Sequence, residues 1–134
     1  MRLDKIFASV ILLLLMASCT HSIKPNEILR SENEFKLTIA IGDKNYLDSM
    51  DVKKIPKGSQ IINKLSDWFT NNPDGWKISI DSWATPDISL ISDNFRLLIF
   101  KNGGVVVSFP EKNGKQNQYV KRVPFSEFNF FIQD

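Results

Sequence analysis

Phe95–Phe109, FRLLIFKNGGVVVSF, sets two apolar runs on either side of the turn Lys101–Gly104. Asn102, Gly103 and Gly104 tolerate the positive φ that a tight hairpin demands, so Phe95–Phe100 and Val105–Phe109 are predicted to be paired antiparallel strands. Asp93 and Asn94 bound the first run. Upstream, Ser59 can cap a helix whose apolar residues Ile61, Ile62, Leu65, Trp68 and Phe69 fall on one stripe. Asn63, Lys64, Ser66 and Asp67 take the opposite side, and Asn71–Gly75 supply the turn chemistry that stops it. An amphipathic helix needs a surface to cover. The strands supply one.

Phe35, Leu37, Ile39 and Ile41 alternate with Lys36, Thr38 and Ala40, as a half-buried strand does, until Gly42, Asp43 and Asn45 end the run. Trp76, Ile78 and Ile80 alternate with Lys77, Ser79 and Asp81, and a shorter strand is expected over Ile88–Ile91. Tyr46–Lys57 reads mostly as loop. After a turn in Glu111–Asn117, Tyr119–Val123 is expected to join the meander. Phe125, Phe128, Phe130 and Phe131 close the chain as either a helical turn or a last strand. The order predicts an α+β domain, with one amphipathic helix packed on an antiparallel sheet of about four to six strands.

The chain has 134 residues, 43% apolar and 24% charged, which suits one folded domain and excludes a collagenous or wholly disordered one. Its 17 basic and 15 acidic residues leave a balance of +2, too small a field to grip a polyanion, so nucleic acid is not an expected partner. One cysteine cannot close an internal disulfide, and one histidine cannot build the imidazole clusters of common zinc sites.

The N-terminus has its own logic. Arg2 and Lys5 precede the apolar stretch Ile6–Met16, broken only by the small residues Ala8 and Ser9. A helix over that stretch rises about 16 Å, against a hydrocarbon core of about 30 Å, so it is too short for a permanent span and fits an export signal. It ends at Leu15-Met16-Ala17-Ser18-Cys19. This resembles the lipobox of bacterial lipoproteins, with Met16 in place of the more usual leucine. The resemblance covers only these first nineteen residues. It implies cleavage before Cys19, a diacylglyceryl thioether on that thiol, and a mature protein tethered to a membrane by its acyl chains. Thr20 is not the aspartate that retains such proteins in the inner membrane, so in a two-membrane cell the resemblance favours the outer membrane, facing the periplasm. An uncleaved anchor, or ordinary cleavage leaving a free thiol, would be the competing outcomes. The expected organisation is a signal over 1–18, a lipidated N-terminus and flexible tether over 19–34 with one helical turn near Glu27–Arg30, and one domain over 35–134.

Catalysis finds little support in the chain. His21 lies two residues from Cys19, which is spoken for as the anchor, so a Ser-His-Asp or Cys-His centre is not expected. Phosphate-loop, dinucleotide and calcium-loop motifs are missing from the sequence. Asp81, Asp87, Asp93 and Glu111 stand near strand ends, where turn geometry and solvation explain carboxylates as well as acid–base work does. Lys53, Lys54 and Lys57 read as a solvated loop. Of the rings that could stack on a sugar or anchor an interface, Trp76, Trp83 and Tyr119, only Trp83 escapes the core pattern, beside Thr85-Pro86. The expectation is therefore a non-enzymatic binding domain without cofactor or metal, using Trp83, Asp81 and Asp87 as an interaction surface. Its partner would be another envelope protein, such as a toxin or wall hydrolase that it neutralises as an immunity protein. The rival expectation is a structural lipoprotein holding a glycan or lipid.

Overall fold

The computed structural model describes residues 20–40 and 51–133. In chain order these form α1 (Asn26–Ser31), β1 (Glu34–Ile39), β2 (Asp51–Pro56), α2 (Gln60–Asn71), β3 (Lys77–Ile78), β4 (Ile88–Ile91), β5 (Arg96–Ile99), β6 (Gly104–Pro110), β7 (Gln116–Arg122) and a 3-10 helix (Phe125–Phe131). The strands make one antiparallel sheet in the order β2-β1-β4-β5-β6-β7-β3. The signal segment, Cys19, Ile41 and the expected turn at Gly42–Asn45 lie outside the described residues.

The expectation of one helix on four to six strands is corrected to three helices on seven strands among the described residues. Each miss has a cause. β2 is an edge strand whose Val52, Lys53 and Lys54 are exposed while Ile55 is buried, so no alternation marks it and it reads as loop. Helix α1 buries only Leu29 and half-buries Ile28, too short a stripe for helical periodicity to register. The closing Phe-rich run resolves as a 3-10 helix, in which Phe128 and Phe131, three residues apart, both turn inward. The chain expected to be a tether is packed from His21 onward: Ile23 and Leu29 belong to the core, and buried Glu32 accepts the Asn94 amide at 2.9 Å.

Register assigns the two faces. Leu37, Leu90, Leu97, Val107 and Tyr119 stand opposite one another across five strands and form a buried row beneath the helices. Helix α2 covers them with Ile62, Leu65, Trp68 and Phe69; Ser59 caps it by accepting the Ile62 amide at 3.4 Å. Trp68 contacts Phe69, Trp76 and Phe128, with ring centres 5.1, 6.0 and 4.7 Å away, so one indole joins helix, sheet edge and chain end. The sheet is about 29 Å wide. Helix α2 is about 18 Å long, and with its linkers it carries the chain from β2 at one edge to β3 at the other.

The second face is closed differently. Leu98 and Val106, paired across β5 and β6, point away from the helices yet are only 3% and 1% exposed, and both fall outside the main core cluster. On this side runs the connector from Ser79 to Pro86, which returns from β3 to β4 and sets Trp83 against Phe100, two residues after Leu98. It is held at its start by Ser79 N to Gln118 O (2.9 Å) and Gln118 Nε2 to Asp81 O (3.0 Å), and at its end by Asp87 N to Ile99 O (3.0 Å). The strand predicted over Trp76–Ile80 therefore shrinks to Lys77–Ile78, and Ile80, leaving the sheet, is 97% exposed.

Candidate functional site

Trp83 lies on the connector, 37% exposed, with its ring centre 6.1 Å from that of Phe100 at the end of β5. Asp87 stands at the same end, where its Oδ2 accepts the Lys101 amide at 2.7 Å and its backbone carbonyl accepts Ala40 N at 2.8 Å. Trp83 and Asp87 thus share the neighbourhood of Phe100 and Lys101. Asp81 does not join them, because its backbone is fixed by Gln118, opposite Ser108 on β6, about 13 Å along the strand from the Gly104 end. Of the predicted surface Trp83, Asp87 and Asp81, the first and second both lie by Phe100 and Lys101, whereas Asp81, two residues from Trp83 in the chain, is held beside Gln118 farther along the sheet. Asp87 also serves the hairpin, so its carboxylate is partly committed to local structure.

The other predicted rings are buried. Trp76 is fully buried and donates Nε1–H to Asn72 O at 2.9 Å, with Lys121 Nζ 5.8 Å over its ring. Tyr119 is 5% exposed and donates its hydroxyl to Glu111 Oε1, while Asn117 Nδ2 donates to the phenol at 3.4 Å. Burial first, and the Glu111 carboxylate second, hold the Tyr119 phenol above its ordinary titration range. The candidate carboxylates do not converge. Glu111 is taken up by Tyr119 on the helix-covered side, Asp93 sits in the β4–β5 turn, Asp81 lies with Gln118 on the other face, and Asp87 holds Lys101 at the far end. Lys53, Lys54 and Lys57 are exposed on and after β2.

A second feature has no counterpart in the sequence reading. An open groove of about 990 Å³ lies beside β3 and the β6–β7 turn; His21, Lys24, Ile78, Glu111, Lys112 and Tyr119 are among its walls. The chain enters there: His21 and Trp76 exchange backbone hydrogen bonds of 2.5 and 3.2 Å as an antiparallel bridge, and the His21 ring meets Tyr119 edge-on at 6.1 Å. Inside it the Tyr119 hydroxyl donates to Glu111 and accepts from Asn117. Among the described residues no three His, Cys, Asp or Glu side chains gather as metal ligands, and no helix is long and apolar enough to cross a membrane. Sequence reasoning missed Ile78 and Ile80 as surface residues because their alternation with polar neighbours imitates a buried strand face. The polar run after Ile80, ending in Thr85-Pro86, was the available signal that pairing stops early.

No family model matches the chain, and no curated protein or solved structure does either.

Proposed function

We propose that the chain is an exported bacterial lipoprotein, acylated at Cys19, whose domain binds another envelope protein rather than transforming a substrate. The observation that carries this reading is the ordered N-terminus: basic start, short apolar stretch, then Leu15-Met16-Ala17-Ser18-Cys19. Two acyl chains, at about 0.8 kcal/mol per buried methylene, hold such a domain on a membrane without a spanning helix. The partner site is the surface at Trp83 and Phe100, flanked by Asp87 and Lys101. Trp83 offers an indole already braced on one side by a second ring, so little freedom is lost when a partner covers the other side. Neutralisation of a toxin or wall hydrolase on the periplasmic face of the outer membrane is the role this arrangement suits, since a stoichiometric binder held at the membrane needs an anchor and a contact surface and no reaction centre.

Two measurements test it. Mass spectrometry of the protein from its native envelope should show a mature N-terminus at Cys19 carrying acyl chains; an intact leader or a free thiol sinks the anchored reading. Crosslinking and co-purification should recover one stoichiometric protein with the wild type and lose it with Trp83→Ala. Retention of that protein by the variant would remove Trp83 from the binding surface.

A further inference from the structure

The way the chain enters the fold decides which part of the domain a lipid anchor would hold against the membrane. His21 runs antiparallel to Trp76, so the residues before His21 leave in the direction in which β3 advances, from Trp76 past Lys77 towards Ile78. Two residues span at most about 7 Å, so an acylated Cys19 cannot stand far from this corner. The corner is apolar where it is most exposed. Ile78 is 50% and Ile80 97% accessible, whereas Leu37, Leu90, Leu97, Val107 and Tyr119 on the neighbouring strands are buried. Basic side chains flank it: Lys24 and Lys112 line the same groove as Ile78. Glu27 shares that groove, and Glu111 is engaged by Tyr119.

Resting on the anchored reading above, we infer that the corner at Ile78 and Ile80, with Lys24 and Lys112 beside it, is the part that sits on the bilayer, the isoleucines among the upper acyl segments and the ammonium groups at anionic headgroups. The tether keeps this face at high local concentration against lipid, so a contact too small to bind a membrane from solution suffices to orient the domain. Lysine stems suit that depth because they lie along apolar surface while the charge stays among headgroups. Orientation has a consequence for the partner site. Phe100 and Lys101 stand at the Gly104 end of the strands, whereas Ser79, next to Ile80, is bonded to Gln118 opposite Ser108, so a domain seated on Ile78 and Ile80 holds the Phe100–Lys101 side of the partner surface away from the membrane.

The test uses the full, acylated protein purified from its native envelope and placed in vesicles of phosphatidylethanolamine and phosphatidylglycerol. Cys19 is the only cysteine of the chain and acylation blocks it, so an environment-sensitive fluorophore on Ile80→Cys labels one position; Lys101→Cys provides a comparison at the opposite end. Both residues are exposed, so neither change disturbs packing. The label at 80 should shift its emission to the blue and be quenched several-fold more strongly by nitroxide-bearing lipid than the label at 101. Lys24→Glu together with Lys112→Glu should reduce that quenching. Equal, water-like behaviour at both positions in protein that floats with the vesicles and carries acyl chains overturns the inference while leaving the anchored reading intact. Shielding of position 80 in the native envelope but not in pure lipid assigns the corner to a protein and likewise overturns it. Protein that lacks acyl chains and stays off the vesicles removes the anchored reading instead.

Discussion

Tyr119 shows how one side chain can be misjudged by type and explained by its place. Its ring completes the buried row across the sheet, and its hydroxyl is spent on Glu111, so it supports the fold at the rim of the groove. Tyr119→Phe should lower stability by about 1–2 kcal/mol, the worth of a hydrogen bond to a charged acceptor that can still reach water. The difference is pH-dependent. The folded state raises the phenol above its ordinary value of 10.0, so it keeps a proton that the unfolded chain gives up. The associated stability is complete below that value and fades as pH climbs through the folded-state value. Urea denaturation should therefore show the gap between wild type and Tyr119→Phe narrowing above about pH 10. Gly103 makes a different demand. It sits at φ +97°, and a Cβ there would meet Val123 O at 3.2 Å. Gly103→Ala should cost about 1–2 kcal/mol, measured by the same denaturation, with the midpoint moving and the slope unchanged. This position was legible in the sequence, because the Asn-Gly-Gly turn announces positive φ. The commitment of Asp87 to the Lys101 amide was not, because it depends on β4 and β5 lying side by side.

Among the elements, legibility followed the length and one-sidedness of the apolar pattern. Helix α2 carries four buried residues on one stripe with a capping serine, and its expected and observed forms agree. Helix α1 and β2 each bury a single residue, Leu29 and Ile55, and such elements exist only because tertiary contacts hold them. The docking of α1 gives a direct test. Leu29 is fully buried, so Leu29→Ala should destabilise the domain by about 2–5 kcal/mol; a mobile tether would register no change. Amide exchange should also find Leu29 N–H, which donates to Pro25 O at 3.0 Å, protected in the wild type. Ser59→Ala at the start of α2 should cost less, about 0.5–1 kcal/mol, because its hydrogen bond to Ile62 is long at 3.4 Å.

At the scale of the whole molecule, the sequence exposed the meander β5 to β7, whose members are neighbours in both chain and sheet. It did not expose the placing of β3 beside β7, or of β1 beside β4, because each depends on where a crossing segment lands. That arrangement makes the chain wrap its own sheet, with α2 over one face and Ser79–Pro86 over the other. It also brings His21 to the approach of β3, so a lipid carried two residues before His21 would act just outside the packed residues. Cys19→Ser should accordingly release the protein from the membrane fraction while moving its stability by no more than about 0.5 kcal/mol, the usual range for a substitution away from the core. Fractionation and thermal unfolding of the same variant check the two halves of that statement.

The ends of the sheet bear on how such molecules would live together. Proteins fastened to one leaflet diffuse in a plane and collide with their own copies far more often than free ones do, and an outer strand with open amides invites those copies to zip together. Here one outer strand bears Lys53, Lys54 and Pro56, and the other is two residues long with His21 laid against its approach. A proline offers no donor, like charges repel, and so short a strand gives a neighbour little to grip. Crowding on the leaflet should then leave the molecules as separate individuals, each with its indole free for a stranger.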